Sequence, residues 1–343
     1  MLSISSWEKA KTSSMRKALI IGIDKYSSKP LSGCENDAAS IANVLEKNGD
    51  GSPNFDIKLI SSDSDQVTSD VIQTALGELF SGDAETALFY FAGHGIIDPT
   101  TNTGYIVSQD GKKGSWGISL AELLGMANDA SPHIQSTVII LDSCNSGYAG
   151  EVAGLNKSQI SVIGNGVTIL TACHREQTAA ESNGQGLFTS ILLDGLSGGS
   201  ADILGRITPA SVYSHIDQTL GSWEQRPIYK ANVQTFVTLR QIAPKISPDT
   251  LRRLPVYFKS PTDQFALDPT FEPDRNNIPE NLRHLPVNPD NTRIFSELQL
   301  CNRHGLVVPV DALHMYNAAI ESKSCKLTAL GAHYRKLAEL GRI

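Results

Sequence analysis

Two stretches of strand length, residues 87–91 (ALFYF) and 137–141 (TVIIL), are apolar almost without interruption. A strand with no polar face must be covered on both sides, which is the condition of a central strand in a parallel sheet. Further strand-like runs at 18–23, 56–60, 167–171 and 235–239 alternate with amphipathic stretches. In these, Ala38, Ile41, Ala42 and Leu45 share one helical face, as do Ile72, Ala75, Leu76 and Leu79. Two more helices are predicted at 120–127 and 209–220, the second opening with Thr208 as cap and Pro209 in its first turn. The alternation predicts an α/β fold, a mostly parallel sheet flanked by helices on both faces.

Each of the two central runs empties into a loop that carries chemistry. The first leads into Ala92-Gly93-His94-Gly95 and the second into Asp142-Ser143-Cys144-Asn145-Ser146-Gly147. Open α/β sheets keep their active sites beyond such strand ends. A free thiol is mostly protonated at neutral pH, so a nucleophilic cysteine needs a base nearby, and His94 is the base available to Cys144. The oxyanion formed on attack needs backbone N–H donors, which Gly95 and Cys144 are placed to supply. The roles predicted are nucleophile for Cys144, acid and base for His94, and oxyanion hole for Gly95 and Cys144. Taken singly, each has a plainer reading: His94 ends a strand in a glycine turn, and Cys144 packs as a small apolar residue.

The chain has 343 residues, which suits one α/β domain of over two hundred residues plus a smaller module. No signal-peptide pattern stands at the N-terminus, and the run at 18–23 is too short to span a bilayer, so no membrane association and a cytoplasmic location are expected. Five scattered cysteines without a C-x-x-C pair argue against a disulfide framework or a zinc ribbon. The net charge of −7 is uneven: residues 244–343 carry 13 Lys and Arg against 11 Asp and Glu. That mild basic excess is too weak to imply a nucleic-acid partner. No phosphate-binding loop or dinucleotide fingerprint is present, and no cofactor is expected.

Four patches of sequence resemble the caspase-like cysteine peptidases, and within them the metacaspases and their bacterial relatives, the orthocaspases. They are Leu31-Ser32-Gly33-Cys34-Glu35-Asn36-Asp37-Ala38, the His94 and Cys144 loops, and Thr171-Ala172-Cys173 with Gln177-Thr178-Ala179-Ala180-Glu181, followed by Gly186-Leu187-Phe188-Thr189. The resemblance covers residues 16–240 and implies a caspase-like fold. It also implies that Asp37 and Asp142 line the substrate-binding S1 pocket with Cys34 beside them. Paired carboxylates select a cation, so cleavage after Arg or Lys follows. Caspases proper cut after aspartate and carry a glutamine where this chain has Asp142. Asp37 is also readable as a first-turn helix residue favoured by the N-terminal dipole, and Asp142 as a residue that holds the nucleophile turn together. Ala92 replaces the serine common before Gly-His-Gly in metacaspases. Residues 96–111 offer only Asp98 and Asp110 where calcium-dependent relatives carry an acidic cluster, so calcium dependence is not expected.

The remaining organisation is read as an N-terminal tail (1–15), a proline-rich linker or wrapping segment (241–290) and a small helical module (291–343) that docks a regulatory protein partner. Its helices are predicted around 310–321 and 327–340, the latter with Leu330, Tyr334, Leu337 and Leu340 on one face. Cys301, His304, His314 and Cys325 have metal-ligand chemistry but unusual gaps, and no metal is assigned. A protease of broad basic specificity needs latency. Lys157, in a polar stretch after the nucleophile, is the candidate self-cleavage site, with Arg252 and Arg253 as runners-up. The function expected is a cysteine endopeptidase acting on protein substrates, with a role in bacterial defence or cell death by family analogy. The alternatives are a catalytically silent scaffold or a binding protein acting through the tail.

Overall fold

The computed structural model describes residues 15–143, 163–172, 181–182, 185–221, 226–274 and 278–343. The chain forms two compact units, one of residues 1–201 with 206–242 and a second of 202–205 with 243–343. Cys144 and Lys157 lie outside the described residues, as do the tail 1–14, Cys173, His174 and Trp223.

The first unit runs β1 (Arg16–Gly22), α1 (Cys34–Glu46), β2 (Asp56–Ser61), α2 (Ser69–Leu79), β3 (Ala84–Ala92), β4 (Gly95–Asp98), β5 (Thr103–Lys112), β6 (Ser115–Ser119), α3 (Leu120–Asp129), β7 (Ile134–Asp142) and β8 (Val167–Thr171). It continues with the two-residue strands β9 (Glu181–Ser182) and β10 (Gln185–Gly186), α4 (Leu187–Asp194), β11 (Arg206–Ile207), α5 (Pro209–Thr219), β12 (Ile228–Asn232) and β13 (Arg240–Gln241). The main sheet has the order β12-β8-β7-β3-β1-β2, with every pairing parallel except the antiparallel β12–β8 edge. This is the mostly parallel sheet that the apolar runs predict.

Strand parity sorts side chains between two cores. Leu19, Ile21, Phe89, Phe91, Ile139 and Leu141 face the layer built with α2 and α3. Ala18, Ile20, Leu88, Tyr90, Val138 and Ile140 face the other, with the buried residues of α1, α4 and α5. Helix α1 lies directly on the end of β1: a Cβ on Gly22 would sit 2.3 Å from the Cys34 carbonyl and 2.7 Å from the Ala38 Cβ. Only glycine allows that approach.

Four sequence expectations are corrected. The last strand is 228–232, not 235–239; Val237 and Leu239 are buried as anchors of an irregular segment, where Leu239 N–H bonds the Ile207 carbonyl at 2.7 Å. The region 243–290 is part of the second unit's core. It carries α6 (Pro248–Tyr257) and β14 (Gln264–Ala266), and its Leu251, Leu254, Phe258, Leu267 and Phe271 pack with Phe295 and Leu298. Three of its prolines mark helix starts: Ser247, Asp268 and Asn288 each cap a helix whose first turn opens with Pro248, Pro269 or Pro289. The unit continues with α7 (Pro289–Arg303), β15 (Val307–Val310), α8 (Met315–Ile320), β16 (Ser324–Leu327) and α9 (Ala329–Glu339). The expected helix at 310–321 is therefore a strand end, a turn and a short helix, and a three-stranded sheet, β14-β16-β15, joins the helices.

The apolar face expected on α9 is also rotated. Leu330 and Leu340 are exposed, whereas Gly331, Tyr334 and Arg335 are buried. Gly331 packs so closely on the Leu306 carbonyl that a Cβ would come within 1.9 Å of it. The Arg335 guanidinium donates to the Phe258 carbonyl at 2.6 Å and to the Lys259 carbonyl, taking up carbonyls at the end of α6, and pairs with Glu339 at 3.1 Å. Among the described residues no helix is long and apolar enough to cross a membrane.

Replacing Gly22 by alanine is expected to destabilise the first unit by roughly 1–3 kcal/mol through overpacking against α1. Gly77→Ala, on α2 where a Cβ meets nothing within 4 Å, should instead stabilise it by up to about 1 kcal/mol. Urea midpoints check both, and an unchanged midpoint for Gly22→Ala would contradict the close α1–β1 contact.

Candidate active site

The pairing of β3 with β7 sets the site. Ala92 stands opposite Asp142 at the shared end of the two strands, and the Gly93 N–H donates to the Asp142 carbonyl at 3.3 Å. His94 therefore follows two residues beyond the β3 end of this register pair, on the rim where β7 also ends.

The turn that presents His94 is fixed from three sides. Its backbone N–H donates to the Tyr26 hydroxyl at 3.0 Å, and that hydroxyl donates onward to the Val107 carbonyl at 3.0 Å. The Tyr26 phenol is 8% exposed, and burial raises its pKa, keeping it a hydrogen-bond donor. The two rings lie 4.6 Å apart between centroids. A Cβ on Gly93 would sit 2.5 Å from the Tyr26 hydroxyl and 2.8 Å from the Phe91 ring, so glycine is required there. The imidazole Nε2 lies 2.6 Å from the Lys29 carbonyl, which only accepts, so Nε2 carries a proton and Nδ1 is the basic nitrogen of the neutral ring. Lys29 has a left-handed backbone, φ 56°, that aims its carbonyl there.

Gly95 opens β4, opposite Ile106 of β5. The Val107 N–H bonds the His94 carbonyl at 2.9 Å, which makes Gly95–Ile106 a non-hydrogen-bonded pair. In such a pair the Gly95 N–H points away from β5, as an oxyanion donor must.

The predicted pocket acids come together on the α1 and α4 side of the sheet. Asp142 is 7% and Asp37 2% exposed. One oxygen of each lies against Gly186 of β10: a Cβ there would be 2.7 Å from Asp142 Oδ2 and 3.0 Å from Asp37 Oδ2. The Gly186 N–H donates to Asp37 Oδ2 at 3.0 Å, and the Thr189 hydroxyl donates to Asp142 Oδ2 at 2.6 Å. Asp37 is thus a buried carboxylate bonded to a segment 149 residues away, beyond a first-turn helix residue. The amides at the start of α1 are taken instead by Asp24, whose carboxylate accepts from Gly33 (3.1 Å), Cys34 (2.9 Å) and Glu35 (3.3 Å). Cys34 is buried in the same first turn.

Asp24, Tyr26, Lys29, Tyr90, Gly186 and Thr189 are site residues that sequence reasoning missed, although the patch ending in Thr189 carries part of the resemblance. Cys301 and Cys325 lie in the apolar core of the second unit, where burial pushes both thiols up to about 12. They pack there among apolar side chains, and among the described residues no group of three or more His, Cys, Asp or Glu side chains is placed to hold a metal ion. Asp98 and Asp110 hold hydrogen bonds within the protein, Asp98 from the Thr100 N–H and the Trp116 indole, Asp110 from Ser108 and Ser69.

The model of the family described as Caspase domain matches residues 15–237. No curated protein matches the chain. Among solved structures, protein GSU0716 from Geobacter sulfurreducens is similar at 15% identity and a TM-score of 0.50, covering 67% of this chain and 98% of its own. Caspase-1 from Spodoptera frugiperda is similar at 12% identity and a TM-score of 0.47, covering 67% and 91%. The match over most of the first unit, the sheet order and the histidine rim lead to one assignment: the chain belongs to the caspase domain family, a family of cysteine peptidases.

Proposed function

We propose that the protein is a cysteine endopeptidase of metacaspase type that cleaves protein substrates after Arg or Lys through His94 and Cys144. The observation that carries this reading is the meeting of the histidine turn and a buried acid pair at one strand end: Gly93 N–H holds the Asp142 carbonyl, and one oxygen each of Asp142 and Asp37 lies against Gly186. Two buried carboxylates repel one another, and a guanidinium or ammonium between them offsets that cost with charge-assisted hydrogen bonds. A substrate aspartate would add a third negative charge.

In the reaction, Nδ1 of His94 takes the Cys144 thiol proton while Nε2 stays bonded to the Lys29 carbonyl, which steadies the imidazolium. The thiolate attacks the scissile carbonyl, and the Gly95 and Cys144 N–H groups bind the oxyanion. His94 returns the proton to the departing amine. Water activated by the same imidazole then hydrolyses the thioester, and the thiol is restored.

On fluorogenic peptides, the wild type is expected to turn over substrates ending in Arg or Lys and to ignore those ending in Asp. Cys144→Ala and His94→Ala should each lower kcat by about 10³-fold or more. Asp37→Asn or Asp142→Asn should lower kcat/KM for Arg peptides by roughly 10–100-fold. Turnover of Asp peptides would overturn the specificity, and absence of hydrolysis under any activating condition would favour the silent scaffold.

Latency is assigned to self-processing at Lys157, and the second unit, which has its own core, to docking of a regulatory protein partner in defence or cell death. Mass spectrometry of an active sample is expected to show the 36.9 kDa chain cut after Lys157, with Lys157→Ala remaining whole. A fully active sample containing only the uncut chain would remove self-processing from the account.

A further inference from the structure

Two buried hydroxyls in the first unit, which the proposed reaction does not use, form a chain that ends on Asp142. Tyr90, on β3, and Thr189, on α4, are both 0% exposed, and their hydroxyl oxygens are 2.6 Å apart. Thr189 in turn donates to Asp142 Oδ2 at 2.6 Å. A threonine hydroxyl has one hydrogen, and with Asp142 ionised that hydrogen is committed to the carboxylate. The Tyr90 hydroxyl must therefore donate to Thr189, giving one direction to the chain: Tyr90 to Thr189 to Asp142.

Geometry and chemistry make this more than core packing. A tyrosine in the middle of a strand that otherwise presents Leu88 and Ala92 to the same core has no packing need for a hydroxyl that phenylalanine lacks. Parity puts Tyr90 on the same face as Asp142, two residues back from the Ala92–Asp142 pair. The phenol is held well above its ordinary range by burial, then by Asp142 and Asp37, so it stays protonated and can only strengthen the donation. Among the described residues, the titratable groups acting on it are Asp142, Asp37 and Cys34. The same short segment that gives Asp142 its hydroxyl gives Asp37 its Gly186 N–H. Residues 186–189 thus set both acids together.

We propose that Tyr90 and Thr189 are positioning residues for substrate recognition, a buried relay that fixes the orientation and the charge of Asp142 so that it can grip a substrate cation beside Asp37. The specificity role rests on the reading of Asp37 and Asp142 as the pocket acids. A hydrogen bond to a carboxylate favours its ionised form, and cooperative donation along a chain adds to that. Removing the relay leaves the acid pair to repel, and one member takes up a proton more readily.

The test uses the full chain with aspartate ¹³C-labelled at Cγ, the Asp142 signal being identified by its loss in Asp142→Asn. Thr189→Val, which keeps the shape and removes the hydroxyl, is expected to raise the Asp142 titration midpoint by about one pH unit. Thr189→Ser should titrate as wild type, and Tyr90→Phe should shift in the same direction by less. In parallel, kcat/KM for Arg peptides should fall about tenfold in Thr189→Val, mainly through KM, with the acid limb of the profile moved to higher pH and serine restoring both. An Asp142 titration unchanged in Thr189→Val, or a loss of activity that serine fails to restore, would overturn the relay. A wild type that ignores basic peptides would overturn the pocket reading and the specificity role with it. The carboxyl titration would then still decide whether the relay sets the charge of Asp142.

Discussion

The parallel register of β3 on β7 is the constraint from which the site follows. Once Ala92 faces Asp142, the two strands end side by side on one rim, and the bond from Gly93 N–H to the Asp142 carbonyl closes the junction. Both strands are buried on both faces, so a slip of one residue would move every side chain to the opposite core. Phe89 and Phe91 would leave the α2–α3 layer, Tyr90 the α1–α4 layer, and Asp142 the company of Asp37. Packing of the large side chains thereby fixes where the polar ones stand.

Burying two carboxylates beside each other is costly unless each is given donors. The first unit meets that cost with contacts that arise far apart in sequence: Gly186 N–H on Asp37, and Thr189 on Asp142, backed by Tyr90. Asp24 takes the free amides at the start of α1, which leaves Asp37 to point elsewhere. The histidine turn is built likewise, with Tyr26 holding its backbone and the Lys29 carbonyl its ring. In each case a polar group is positioned by a neighbour distant from it in sequence.

Much of this was legible in the sequence because strand periodicity is local. The apolar runs gave the central strands, and the residues just beyond the first of them gave the histidine turn. Tyr90 and Asp142 are an even number of residues from Ala92 and its partner, so parity alone would have put them on one face had the register been known. What escaped was long-range: nothing near Gly186 or Thr189 says that they meet Asp37 and Asp142. In the second unit the error was of another kind. The number of prolines in 243–290 suggests a linker, whereas Ser247-Pro248, Asp268-Pro269 and Asn288-Pro289 are each a cap followed by a first-turn proline. On α9, Leu330 and Leu340 set the wrong stripe because the close contacts belong to Gly331 and to the buried Arg335.

The most direct measurement is a crystal structure of the protein after reaction with a peptide that ends in an arginyl chloromethyl ketone. The expected result is a covalent bond to the Cys144 sulfur, with His94 Nδ1 within about 4 Å of it and the guanidinium held between the carboxylates of Asp37 and Asp142. Labelling of another cysteine, or an arginine side chain lying away from those two acids, would contradict it.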